Sequence, residues 1–192
     1  VIKKSVWLRF YISVGMLVLF SMGGVYWFQH QQAIETAQFG LLERGRSHFE
    51  SIILMRRWAA EHGGVYVFKR NGAESNSFLP GTDIETKDGR TLMLRNPASI
   101  TREISEYAKA DADFSFRITG DNPINPANNP DEWEAFAMNQ FQAGSQEFFG
   151  KIHSDGKIYY RYMAPLYVET SCLACHAQQN YKIGEARGGI SI

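Results

Sequence analysis

Residues 148–165 read FFGKIHSDGKIYYRYMAP. Phe148 to His153 and Lys157 to Pro165 are runs rich in aromatic and β-branched residues, as strands are. Asp155-Gly156 between them is a strong hairpin signal, because a two-residue connection needs residues that tolerate positive φ. The stretch therefore predicts two antiparallel strands joined by a tight turn. After it comes a loop carrying both cysteines, and then Gly188 to Ile192, which reads as a last strand.

Upstream, Asp131 opens a helix of about Glu132 to Ala143, and Asp121 to Pro130, with three prolines, reads as an irregular loop. Phe114 to Ile118 reads as a strand. Asn96-Pro97 starts another helix, with Asn as N-cap and Pro at the first helical position, running to Ala110. Thr91 to Leu94 and Val65 to Phe68 read as strands, with a polar loop from Asn71 to Gly89 between them. From Gln31 to Glu61 apolar residues recur at helical spacing, although Gly40 and Gly45 argue against an unbroken helix. His62-Gly63-Gly64 stops that run, since glycine after a helix takes the left-handed cap. The order is that of an α+β domain with an antiparallel sheet, similar to the sensory folds called PAS and Cache.

Phe10 to Phe28 contains no charged residue and is long enough to cross a bilayer as a helix. Lys3, Lys4 and Arg9 precede it and place the N-terminus in the cytoplasm by the positive-inside rule. Trp7 and Tyr11 flank one end, and Tyr26, Trp27 and Phe28 the other, as interfacial aromatic residues do. A cleavable signal peptide is the competing reading, but Val25-Tyr26-Trp27-Phe28 is bulky where a cleavage site wants small residues. The expected organisation is a stub and transmembrane anchor over residues 1–30, then a folded domain over 31–192. That arrangement makes a single-pass protein of the bacterial inner membrane with its domain in the periplasm.

The 192-residue chain is 44% hydrophobic and 21% charged, which suits a packed core, and 14% aromatic. Formal net charge is zero. That removes the electrostatic case for nucleic acid as a partner. The two cysteines are too few for a disulfide framework.

Those cysteines stand as Cys172-Leu173-Ala174-Cys175-His176, the C-x-x-C-H pattern. Two thiols at this spacing can add to the two vinyl groups on one porphyrin edge, and the next residue, His176, then offers its imidazole to the iron. One covalent haem c, with its iron, is the expected cofactor. A structural zinc site wants four ligands, and no second ligand pair stands at typical spacing. A thioredoxin-type pair opens a helix after an early strand, whereas this pair lies late. A plain disulfide suits the compartment but leaves His176 without a purpose.

For the second axial position, His48, Met55 and His62 are spaced by sevens and share one helix face. His62, beside two glycines, is the first candidate distal ligand and His48 the second; Met55, Met163, His153 and His30 complete the candidates, with His30 the weakest. Arg56, Arg57 and Lys182 are candidate contacts for the haem propionates, because a guanidinium holds a carboxylate bidentately. Against each of these stands the plainer reading of a core or solvated side chain. Glu132 and Glu134 have no partner placed for acid–base work, and acids at a helix N-terminus are common for dipole reasons. No catalytic residue is assigned, and the chain is read as no enzyme.

Five segments, taken together, resemble one known family. They are Arg56-Arg57-Trp58-Ala59-Ala60-Glu61-His62-Gly63-Gly64-Val65-Tyr66-Val67; Asn96-Pro97 with Ile100 to Ser105; Asn125 to Glu134; Arg161 to Leu166 leading into the cysteine motif; and Tyr181 to Ser191. The family is that of bacterial c-type haem sensor domains, long catalogued as a domain of unknown function. Over about residues 35–192 the resemblance implies a PAS-like fold, haem attached at Cys172 and Cys175, and a place in front of histidine kinases, diguanylate cyclases or chemoreceptor modules. Any such output module would lie beyond Ile192. The resemblance leaves the distal ligand open among histidine, methionine, water and an empty position.

The expected function is a membrane-anchored haem sensor that responds to a small diatomic ligand or to redox state and signals through its N-terminal helix. A tethered monohaem cytochrome exchanging electrons with a redox partner is the alternative, and a haem-free ectodomain with a disulfide a third. Gly23 and Gly24 in the anchor make a homodimer a further expectation.

Overall fold

In the computed structural model of the chain, the described residues are 2–70, 75, 76, 78, 81–111, 113–154 and 156–192; the side chains of Ile2, Lys3, Ala174, Cys175 and Ala177 lie outside the description. Among the described residues, four α-helices and seven strands follow in order: α1 Ile2–Glu61, β1 Val65–Phe68, β2 Ile84–Glu85, β3 Thr91–Arg95, α2 Pro97–Asp111, β4 Arg117–Gly120, α3 Glu132–Gln142, β5 Phe148–Ser154, β6 Lys157–Tyr167, α4 Leu173–His176 and β7 Ala186–Ser191. The α+β expectation holds. The chain divides into two compact units, Val1–Glu43 and Arg44–Ile192. The first is helical and carries the one stretch among the described residues that is long and apolar enough to cross a membrane, by length and composition.

In the second unit the strands form two antiparallel sheets: a small one in the order β1-β3-β2 and a larger one in the order β4-β7-β6-β5. The expected hairpin is β5–β6, with Ser154 opposite Lys157 and Phe148 opposite Met163. Gly156 in its connection has φ of 72°; Asp155 lies outside the described residues, as does part of the loop expected from Asn71. Strand β2 falls inside that expected loop. Its two residues pair with Leu92 and Thr91, too short a run for alternation to reveal. Strand β4 begins at Arg117, three residues beyond Phe114, because Phe114 and Phe116 are recruited to the core instead.

Side chains on a strand alternate between faces, and the larger sheet is covered on both. Ile190 on β7 packs with Ile52 of α1, Ala108 of α2 and Phe116. Met163 on β6 packs with Ala137, Met138 and Phe141 of α3. Both Ile190 and Met163 are completely buried. They occupy opposite faces, since Ile190 pairs with Ala164 and Met163 with Ser191.

The helix boundaries follow from local chemistry. Gly63 and Gly64 end α1 at φ of 70° and 98°, and their N–H groups donate to Ala60 O and Ala59 O. The Asn96 side chain accepts from Ser99 N at 2.9 Å and caps α2. A capping box starts α3: Glu134 N–H donates to Asp131 Oδ1 at 2.8 Å, and Asp131 N–H to Glu134 Oε2 at 3.0 Å. Glu134 is completely buried and also meets Arg161 at 2.8 Å and Arg117 at 3.2 Å. The Arg161 guanidinium in turn lies 4.7 Å from the Trp133 ring centre.

Gly40 and Gly45 do not interrupt α1. Gly45 is buried, and a Cβ there would stand 2.7 Å from Cβ of Tyr162 on β6. The glycine is what lets the helix backbone approach the strand. Replacing it with alanine gains about 1 kcal/mol of helix propensity but forces a contact whose relief costs about 1–3 kcal/mol. Gly45→Ala is therefore expected to lower the melting temperature, and a rise on thermal denaturation would contradict the close approach.

The Asp131 carboxyl is pushed up by burial, but the hydrogen bond from Glu134 N–H and the charges of Arg161 and Arg117 outweigh this and hold it below the ordinary carboxylate value. A carboxylate with a depressed folded-state pKa contributes stability above its unfolded value and loses it as pH falls through the folded value. Asp131→Asn keeps a capping oxygen but no charge. The variant should be less stable than the parent at pH 7, with the gap closing as pH is lowered below about 4, as read from urea midpoints across that range.

Candidate functional site

Between β6 and β7 the chain makes a short helical excursion. A 3₁₀ turn over Thr170–Cys172 leads into α4, and a second over Ala177–Gln179 ends at Asn180, which takes the left-handed conformation at φ of 53°. The motif expected in a loop is thus helical, which brings Cys172 and His176 onto the wall of one cavity. Cys175 lies in the same short helix, with its side chain outside the description.

The cavity encloses about 1120 Å³ of unfilled space, part of it open to solvent. Ile118, Ile124, Leu166 and Val168 give it apolar walls, and Arg56 and Arg102 supply cations. Arg56 reaches in from α1. Its Nη1 donates to Thr101 Oγ1 at 2.9 Å and to Pro97 O at 3.3 Å. Burial pushes its guanidinium down to about 10, against a smaller opposing effect of the Cys172 thiol. It stays charged near neutrality and is poorly solvated, so an anion beside it would be stabilised.

His176 is held from behind. Its Nδ1 is hydrogen-bonded to Gln179 Oε1, and Gln179 Nε2 donates to Asn122 O. Tyr181 Oη lies 2.9 Å from Gln179 Nε2 and donates to Asn122 O at 3.2 Å. Burial first, and then Asp121, raise the Tyr181 phenol above its ordinary value, so the hydroxyl stays protonated and available as a donor. Arg187 bridges Asp121 and Glu185 with its guanidinium 5.5 Å from the Tyr181 ring centre.

Of the expected site residues, Cys172, His176 and Arg56 come together at the cavity. Arg57 is exposed and lines a separate depression with Arg46 and Glu147. Lys182 is exposed, and its backbone N–H donates to Glu185 Oε2. His48 stacks on Phe114 with ring centres 3.9 Å apart. His62 is exposed, stacked on Trp58, with Nδ1 donating to Trp58 O at 2.7 Å. Met55 packs against the Ile52 cluster and Met163 against the α3 cluster. His153 is exposed on β5, and His30 stacks on Tyr26. Among the described residues that line the cavity there is one histidine, His176, and no methionine.

Sequence reading passed over Arg102, Gln179, Tyr181 and Asn122. Gln179 could have been suspected, because a residue three positions after His176 returns to the same side if the motif continues as a helical turn. Asn122 is distant in sequence and contributes a backbone oxygen, for which no sequence signal exists.

The residues present fit a haem: a thiol of the C-x-x-C-H pattern, its histidine and a desolvated guanidinium meet in a cavity with apolar walls. Comparison with known proteins agrees with the fold. One solved structure, described as the crystal structure of the cyanobacterial heme-protein Tll0287, matches with a TM-score of 0.52 and 17% identity over 79% of this chain and 92% of that one. No curated protein matches. The family described as Tll0287-like matches residues 30–192, and the chain belongs to it.

Proposed function

We propose that the chain binds one haem covalently through Cys172 and Cys175 with His176 on the iron, and that it acts as a haem-based sensor. The observation that carries this reading is the meeting of Cys172, His176 and Arg56 at one cavity. The haem would supply an iron that changes oxidation state or takes a diatomic ligand. The chain's own residues do the rest. Cys172 and Cys175 would anchor the group, His176 would ligate its iron, and Arg56 and Arg102 would offer cations to the propionates. The apolar walls limit the access of water. The heme-protein named by the matching structure supports the cofactor class.

The sensing part of the proposal rests on Arg56. It belongs to α1, the helix whose earlier part carries the uncharged run from Phe10 to Phe28, and it ties α1 to Thr101 and Pro97 of α2. A charge change near a poorly solvated guanidinium alters the strength of that tie, because Coulomb terms grow as solvent is excluded. A ligand shifts a conformational equilibrium only by its difference in affinity for the two states, and this tie is the element that can differ. We place the first unit in the bacterial inner membrane and the second in the periplasm. Each large apolar side chain such as Leu17, Phe20 or Trp27 gains about 1.5–3 kcal/mol on leaving water, and these stand exposed on the helix. A homodimer through the anchor is part of the same proposal.

The first test is the absorption spectrum of the full chain in detergent, made alongside haem-attachment machinery. A haem that resists acid–acetone extraction, and a reduced spectrum that shifts promptly with carbon monoxide, are the expected results. A reduced spectrum unmoved by carbon monoxide would favour the electron-carrying cytochrome, and a chain without haem bands would overturn the cofactor assignment. The second test is Arg56→Gln. Losing a nearby cation favours the ferric state, so the midpoint potential should fall, by on the order of 1 kcal/mol of electron affinity; an unchanged potential in a redox titration would remove Arg56 from the haem's surroundings.

A further inference from the structure

The hydrogen bonds behind His176 determine which of its ring nitrogens carries the proton. Gln179 Nε2 faces Asn122 O, a backbone carbonyl that can only accept, so the amide must present its NH₂ there and its Oε1 to His176. The imidazole nitrogen meeting Oε1 must therefore donate. Nδ1 carries the proton and Nε2 the lone pair. An unconstrained neutral imidazole exchanges between two tautomers, and only the nitrogen bearing the lone pair can bind a metal ion. Asn180, in its left-handed conformation, turns the chain so that Tyr181 adds a second donor to the same carbonyl, at 3.2 Å. Its ring lies 5.8 Å from that of His176 and inclined at 25° to it.

We infer that Gln179 is a positioning residue for the iron ligand: it fixes the Nε2-ligating tautomer of His176 and sets the electron donation of the imidazole. The inference rests on the haem reading above and goes beyond it, because nothing in the C-x-x-C-H pattern specifies a partner for Nδ1. A ligating histidine whose other ring nitrogen donates to an oxygen is more basic, and loss of such a partner typically changes metal affinity or activity by about 10–100-fold. In a haem protein the same lever acts on the reduction potential.

The test uses the full haem-loaded chain and two variants, with the potential measured by equilibrium redox titration. Gln179→Leu removes the acceptor without adding charge, so the imidazole donates less, the ferric state is less favoured and the potential rises. Gln179→Glu offers a stronger acceptor, and the potential falls. Each shift should be on the order of tenfold in the ratio of oxidised to reduced protein, about 59 mV for a one-electron couple. Shifts of opposite sign are the signature of control through Nδ1. Equal potentials, or shifts of the same sign as mere loosening of the turn would give, overturn the inference. Should the leucine variant retain no haem, the glutamate variant decides alone, a fall supporting the inference and an unchanged potential ending it. A parent chain that takes no haem sinks the underlying reading and this inference together.

Discussion

A completely buried carboxylate holds the domain in register. Glu134 at the start of α3 meets Arg161 of β6 and Arg117 of β4, and Arg161 also donates to Ser191 of β7 at 2.7 Å. One anion thereby connects a helix to three strands of the four-stranded sheet. Removing two or three charges from water is expensive, and the mutual attraction offsets that only where the geometry is good and the remaining lone pairs are used. Here Glu134 Oε2 also accepts the Asp131 N–H, so the same group that ties the sheet also caps the helix. Breaking such an arrangement at one partner leaves a buried charge uncompensated, which is why the register of β4, β7 and β6 is firmly specified. The site depends on that register, because the cysteine motif lies in the excursion between β6 and β7, while Ile118 to Gly120 of β4 also line the cavity.

Much of this was legible in the sequence where a single local rule governs. The β5–β6 hairpin announced itself through Gly156, α2 through Asn96-Pro97, and the end of α1 through Gly63-Gly64. The C-x-x-C-H motif identified two residues that the fold indeed brings to one cavity. What escaped was set by partners far away in sequence. Strand β2 exists only because β3 is there to pair with it. Phe114 looked like a strand residue by propensity, but packing against the core outweighed that preference. The glycine at position 45 read as a helix breaker and is instead a space for Tyr162. The same limit applied to Glu134, which looked like an ordinary dipole-neutralising acid because its arginines are 17 and 27 residues away.

The helix face carrying His48, Met55 and His62 shows how spacing alone can group residues with different surroundings. The three are one turn-pair apart and lie on a common stripe, yet His48 is stacked on Phe114, Met55 is in the core and His62 is out on Trp58. The residue of that helix that does reach the cavity is Arg56, next to Met55. Periodicity reports which residues share a face; it carries no information on what the face meets along its length.

The excursion between β6 and β7 is clamped at its base. Tyr167 pairs with Ala186, and beyond that pair Val168 N–H donates to Glu185 O and Gly184 N–H to Val168 O. The segment from 169 to 183 therefore starts and finishes at one fixed point of the sheet, and opening it breaks no strand pairing. Loop closure costs grow slowly with length, by about 0.6 kcal/mol for each doubling, so the sheet tolerates an insertion of this size at little cost. The sheet and its two cores can therefore assemble without the excursion, whose own ties run through Gln179 and Tyr181 to the backbone oxygen of Asn122.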